Sequence, residues 1–450
     1  MQIRVLIFIG IGGPPPVTPT EIPMSSPDPH AFPPHYRRNF AAGLVHGVFF
    51  QASAALSSIH TVLPSLVAAL TPAASAVGLM ATLQSVGQVL PQLYTAYVVD
   101  RLPRRKPLLL FIITFRFLSF LLLAWMVYAY GLTRPMLVLA ALLILFGSFS
   151  LLGGMGSVVY ADIFSRAIPA RRRGRFAGMK QLFGYLLAIL AGYFVKWVLG
   201  QPDRFPFPNN YAIILGASGA TLAIALTGFA LIKEPPVPDR RVLRHRNAIW
   251  STAVTLFKSS RSLRILILVQ ALITLNLAIA PFFVIHAKQD LAIPPATVGV
   301  YLSLQMAGAA LANIPWAWLS DHRGNRAVII GVALTGLLTT LLALLTPASL
   351  SWLYGGVFIL LGATISGTTV GFANIILEMA DDATRPVCVA LRNSALLPIA
   401  IAPLLVGVLA RWLSYPTLFA GSAIIALAAL LLAMLRLPEP RDNPDVICSL

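Results

Sequence analysis

From about residue 40 to residue 437 the chain is a succession of long apolar runs divided by short polar breaks. Each run has room for the roughly 20 helical residues that cross a bilayer core. None shows the apolar/polar alternation of a barrel strand, so helices are the spanning form. The pattern predicts an all-α polytopic membrane protein with twelve transmembrane helices. These fall at 40–69, 74–99, 107–130, 135–164, 176–200, 210–232, 265–287, 295–320, 327–347, 350–378, 386–412 and 415–436.

The longest polar break, charged and containing proline, divides the helices into six and six. The predicted organisation is a Pro-rich, disordered N-terminal tail over 1–36, a six-helix half over 37–232 and a cytoplasmic linker over 233–264. A second six-helix half spans 265–437, and a cytoplasmic tail spans 438–450. Within the linker, Asn247–Lys258 has apolar positions at helical spacing, as a segment lying on the membrane surface would. The tail holds nine prolines between Pro14 and Pro34, and Met24 is an alternative start.

The two halves are related. Leu83-Gln84-Ser85-Val86-Gly87 matches Leu304-Gln305-Met306-Ala307-Gly308 at an offset of 221, and Asp100 matches Asp321 at the same offset. Asp162 then corresponds to Glu378, and Lys180 to Arg392, at slightly shorter offsets. Two parallel six-helix repeats are a transporter architecture.

Composition adds direction. Only 11% of residues are charged, against about 25% in a soluble domain. The net charge of +18 suits a nucleic-acid partner by its size alone, but its distribution excludes that partner. Of the 33 Lys and Arg residues, 24 fall on the side of the chain termini and 5 on the other. The positive-inside rule therefore predicts a cell (plasma or inner) membrane protein with both termini cytoplasmic. Its two cysteines, Cys388 and Cys448, imply neither a disulfide framework nor a metal site. There is no Gly-rich Lys-Ser/Thr phosphate loop, so no ATPase and no cofactor are expected.

The loop after helix 2 reads Ala96, then Asp100-Arg101-Leu102-Pro103-Arg104-Arg105. Its second copy reads Ala317, then Asp321-His322-Arg323-Gly324-Asn325-Arg326. Here the sequence resembles the major facilitator superfamily over about residues 37–437. That family's loop signature is Gly, three residues, Asp, Arg, any residue, Gly, Arg, and Arg or Lys. The acids and their basic partners are kept; the leading Gly is Ala in both copies, which still permits close helix approach. The resemblance implies a secondary-active or facilitative transporter. It would work as a monomer on a small-molecule solute in a lipid bilayer, by alternating access around a site between the halves. It also implies that Asp100, Arg101, Arg104, Asp321, Arg326, Asp162 and Glu378 form a cytoplasmic gate network that latches the halves in one state.

Other residues are candidates from their placement. Arg116, Lys180 and Arg392 are charges within predicted helices, which are expensive in hydrocarbon and so functional by default. Lys180 and Arg392 would line a cavity for an anionic group; Arg116 lies deeper. Helix 1 carries a polar stripe with His46, Ser53, Ser57, His60 and Thr61. Gln270 and Asn276 do the same in helix 7, and Gln84 and Gln305 sit at equivalent places in helices 2 and 8. Interhelical hydrogen bonding is the alternative for any one of them. No acid falls near the bilayer midplane, and helix 5 lacks the Gly-Pro signature of similar drug antiporters. The expected transport is therefore uniport or exchange, unless His60 carries a coupling proton. The rivals are a membrane-embedded lipid-linked transferase, which would need Asp381-Asp382 beside Glu378 as a metal site, and a transport-dead membrane receptor.

Overall fold

The computed structural model describes residues 35–99, 102–235, 255–381 and 384–441. Asp100, Arg101, Asp382, the Pro-rich tail and most of the predicted linker lie outside them. The described regular structure is helical.

Among the described residues, fifteen helices build twelve crossings. In the N-terminal half, α1 (Tyr36–Leu56) and α2 (Val62–Leu70) make the first crossing, followed by α3 (Ala74–Val99), α4 (Lys106–Tyr130), α5 (Pro135–Ala167), α6 (Ala170–Leu199) and α7 (Asn209–Ala230). In the C-terminal half, α8 (Arg261–Leu277) and α9 (Ala280–Gln289) share a crossing. Then come α10 (Thr297–Arg323), α11 (Asn325–Leu345) and α12 (Gly355–Met379), entered through a 3-10 turn. α13 (Arg385–Leu396) and α14 (Ala402–Leu409) share the eleventh crossing, and α15 (Tyr415–Arg436) is the last. Eleven helical segments are long and apolar enough to span a membrane. The twelfth is α3, which carries Gln84, Gln88 and Gln92 along one face at four-residue spacing.

Crossings expected as single helices are broken where backbone donors are missing. The first breaks over Ser57–Thr61, just before Pro64, and the seventh at Ala278–Ile279, just before Pro281. Each proline removes the amide that would bond four residues back and its ring crowds that carbonyl. The eleventh passes through a 3-10 turn at Leu397–Ile401, which contains Pro398 and is followed by Pro403.

The outer faces are apolar: Ile144, Ile424 and Leu435 are exposed on their helices. Trp125, Tyr128, Trp197, Trp352 and Trp412 are exposed near the end away from the termini, as an interfacial belt requires.

The halves meet along two matching seams, α6 against α10 and α3 against α14. At the far end both seams close on glycine. The Gly192 carbonyl would lie 2.5 Å from a Cβ added to Gly299, and the Ala74 carbonyl 2.7 Å from one added to Gly407. Small residues let helices approach this closely. Hydrogen bonds reinforce the seal. Ser303 Oγ donates to the Ile189 carbonyl (2.9 Å), the Leu404 amide donates to Thr82 Oγ1 (3.1 Å), and Lys288 Nζ donates to Ser65 Oγ (3.0 Å). Toward the terminal end the seams open. Asn393 Nδ2 still reaches Gln92 Oε1 at 3.4 Å, but Gly174 and Gly178 of α6 face open space.

Candidate functional site

Two groups of polar side chains stand out: an ion network at the terminal end and a cationic cluster inside the N-terminal half.

The terminal network is built twice. In the N-terminal half, Asp162 near the end of α5 is gripped by Arg105 and by Arg166 (2.6 Å). Arg166 also reaches Glu234 at 3.2 Å. Glu234 lies just past α7 and accepts the backbone amides of Arg105 (3.0 Å) and Lys106 (3.0 Å). It therefore caps α4, whose first amides have no partner within their helix. The C-terminal half repeats the plan. Glu439, just past α15, accepts the Arg326 amide (3.0 Å) at the start of α11. Glu378 takes Arg441 at 2.7 Å. Burial pushes the Glu439 carboxyl above its ordinary range, against the opposing hydrogen bond from the Arg326 amide. Gly324, with φ +82°, makes the turn into α11, a conformation that favours glycine.

Of the predicted gate residues, Asp162 and Glu378 are thus engaged, through Arg105 and Arg441. Arg326 contributes its amide and also donates a guanidinium hydrogen bond to the Met434 carbonyl (2.6 Å). Asp321 and Arg104 are exposed; Asp321 enters through its backbone carbonyl, which accepts from Arg441 at 3.2 Å. Asp100 and Arg101 lie outside the described residues. Sequence reasoning missed Glu234 and Glu439, though a signal was present: Glu-Pro recurs at 234–235 and 439–440.

The second group sits deeper. Arg116 is ten residues into α4, about 15 Å along it at 1.5 Å per residue, near the middle of a roughly 30 Å core. Its guanidinium carbon stands 3.8 Å from the Phe149 ring centre and 5.0 Å from that of Phe50. Lys180 lays its aliphatic stem against Gly47 of α1 and points its ammonium at the Tyr160 ring, 5.5 Å away. Between the two cations lies His46, whose ring centre is 5.5 Å from that of Tyr160 and 5.9 Å from that of Phe50. His46 Nδ1 donates to the Ala225 carbonyl at 2.9 Å, since a carbonyl only accepts. Arg116 Nε and the Tyr160 hydroxyl are buried without a hydrogen-bond partner among the described residues.

The other candidates divide. Asn276 is consumed inside the C-terminal half, donating to Thr340 Oγ1 (3.0 Å) and Ser422 Oγ (2.9 Å). A cavity of ≈10 Å³ beside it has room for about one water. Ser57 Oγ donates to the Ser53 carbonyl (2.8 Å) at the break in the first crossing. His60 lies in that break with Nδ1 buried and unpartnered, as are Gln270 Oε1 and Gln305 Oε1. Gln84 is half-buried on the α3 stripe. Arg392 donates to the Phe372 carbonyl (2.7 Å) and to Asn393 Oδ1 (3.2 Å). Arg392 therefore does not share the free state of Arg116.

The family model described as Major Facilitator Superfamily matches residues 45–285 and again 266–447, once over each repeat. The chain belongs to the Major Facilitator Superfamily. It is a multi-pass membrane transporter that moves a small solute by alternating access. Solved structures share the fold. A mutant of the nucleoside transporter NupG superposes with TM-score 0.69 at 14% identity, covering 88% of this chain and 99% of that one. A D-xylose-proton symporter gives 0.68 at 16%, covering 91% and 99%. A bacterial homologue of the human lysosomal transporter Spinster, in an inward-facing and unoccupied conformation, gives 0.67 at 13%, covering 93% and 100%. No curated protein matches the chain.

Proposed function

We propose that this superfamily member is a monomeric uniporter or exchanger of the cell membrane, without enzymatic activity, and that both its termini face the cytoplasm. The observation that carries the orientation is the charge bias of the loops toward the terminal end. With that orientation, the state described above is closed to the outside and open toward the cytoplasm. Supporting the transport mode, Asp162, Asp321 and Glu378 stand at helix ends rather than at mid-depth. A buried carboxylate is the usual proton carrier, so its lack at that depth favours movement down a gradient or one-for-one exchange.

The test is uptake by proteoliposomes holding the purified full chain, over a panel of neutral and anionic solutes that includes nucleosides and xylose, which structural neighbours transport. Counterflow without dependence on an imposed pH gradient is the expected result. Proton-driven uphill accumulation that is lost in His60→Gln would replace it with a histidine-coupled mechanism. Reporter fusions at residue 450 test the orientation: a reporter active only outside the cytoplasm should stay silent there.

A further inference from the structure

Among the described residues, the interior of the N-terminal half carries positive charge with no negative charge to meet it. Arg116 and Lys180 come from different helices, α4 and α6, and the His46 ring lies beside both Phe50, which Arg116 faces, and Tyr160, which Lys180 faces. The described acids are at helix ends or beyond: Asp162, Asp203, Glu234, Asp290, Asp321, Glu378, Asp381 and Glu439. None reaches the cluster. The nearest, Asp162, is occupied by Arg105 and Arg166.

Aromatic faces partly solvate the two cations. A ring face attracts a cation through its quadrupole but carries no net charge, so the two cations remain without a countercharge. The rings also leave the Arg116 Nε–H without a hydrogen-bond partner among the described residues. The Tyr160 hydroxyl is a further unused donor, on the residue over which Lys180 is poised. Gln88, half-buried on the α3 stripe, turns its amide toward the same place: a Cβ added to Gly153 would lie 3.0 Å from Gln88 Nε2 and 3.3 Å from an Arg116 nitrogen. Gly153 keeps that space clear. Donors from four helices thus stand where, among the described residues, no carboxylate meets them, beneath the end at which the seams are open.

We propose that the transported solute is an organic anion whose carboxylate or phosphate is received by Arg116 and Lys180, with the Tyr160 hydroxyl and the Gln88 amide as neutral donors. This rests on the transport reading above and adds the substrate class to it. Charge-assisted hydrogen bonds at low dielectric are the strong ones, and a guanidinium accepts a carboxylate or phosphate in bidentate fashion. The anion also supplies the countercharge that the half lacks.

The test measures thermal stability of the purified full chain with paired solutes: benzoate and benzamide, lactate and lactamide, glycerol 3-phosphate and glycerol. Stabilisers should fall among the anionic members, and the carboxylate and phosphate pairs separate the two anion types. Arg116→Gln and Lys180→Gln should each weaken the stabiliser roughly ten- to a hundredfold, the range expected for one charged hydrogen bond. Arg116→Lys and Lys180→Arg should retain most of the effect. Stabilisation by neutral members alone overturns the proposal. So does the failure of every anion, or an anion effect that survives loss of both cations. Uptake is scored separately. Anion binding without uptake of any solute counts against the transport reading and leaves only the anion site standing; uptake restricted to neutral solutes keeps the transport reading and overturns the anion proposal.

Discussion

The two halves share one plan and fill it with different chemistry. In the N-terminal half the terminal ion network is sequestered: Arg105 is 3% exposed and Arg166 11%. In the C-terminal half the corresponding pair is open to water, with Arg441 42% exposed. The interiors differ as well. The N-terminal half holds Arg116 and Lys180 among aromatic rings. The C-terminal half holds neutral groups that satisfy one another: Asn276 with Thr340 and Ser422, Thr364 with Thr335 (3.0 Å), and Trp316 Nε1 with the Ala363 carbonyl (3.0 Å). A repeat duplicates helix positions, not the burden each position carries. The deep cations of one half stand against rings, while in the other Arg392 is taken up by a carbonyl and an amide oxygen and several neutral groups bond to one another.

The sharpest way to break this comparison is Asp162→Asn. It leaves Arg105 buried beside a neutral amide, and removing one partner of a buried pair costs about 3–5 kcal/mol. Thermal unfolding of the purified protein should register that loss; a change under about 1 kcal/mol would mean that the N-terminal network is not tighter than its twin. Next in size is Gly299→Ala at the closed seam, where the added methyl would strike the Gly192 and Lys196 backbone. Overpacking of this kind costs about 1–3 kcal/mol, so the population should move roughly tenfold or more toward the state open at the far end. Spin-label distances across α6 and α10 would show it, and unchanged distances would refute it. Third, Asn276→Ala should cost about 0.6–1.7 kcal/mol, the range for hydrogen bonds between membrane helices. It should leave ligand binding within twofold if the C-terminal bundle is purely structural. The smallest effect belongs to Glu378→Gln, expected at about 0–1 kcal/mol and reduced further by salt, because its partner is solvated. A loss equal to that of Asp162→Asn would erase the distinction between the halves.

Much of the fold was legible because a bilayer leaves few choices. The spans, the six-and-six division and the pairing of Asp162 with Glu378 all follow from hydropathy and spacing. The partners of the acids were less legible. Arg101 and Arg104 are as near in sequence to the motif acid as Arg105, and only the turn into α4 decides which one faces α5. Glu234 and Glu439 looked like linker and tail because composition cannot show that a chain doubles back to a helix start 128 or 113 residues earlier. In the cluster, Arg116 and Lys180 announced themselves as charges in hydrocarbon. Phe50, Phe149 and Tyr160 did not, since an aromatic residue in a membrane helix is ordinary until its neighbour is known. His46 read as part of a polar stripe, but its partner is a backbone carbonyl on α7, which no side-chain pattern reveals.

The capping glutamates carry a consequence for biosynthesis. Chains fold from the N-terminus as they are made, domain by domain. α4 reaches the membrane well before Glu234 has been polymerised, so its first amides wait for a partner that the ribosome adds only after α7. The same delay separates α11 from Glu439. Each half therefore fastens its terminal end with the last residues it receives, and the first half is complete before α8 begins. A nascent chain halted while Glu234 is still inside the ribosome would hold that half without its fastening, whereas one halted far enough downstream for Glu234 to emerge would be a finished unit waiting for its twin.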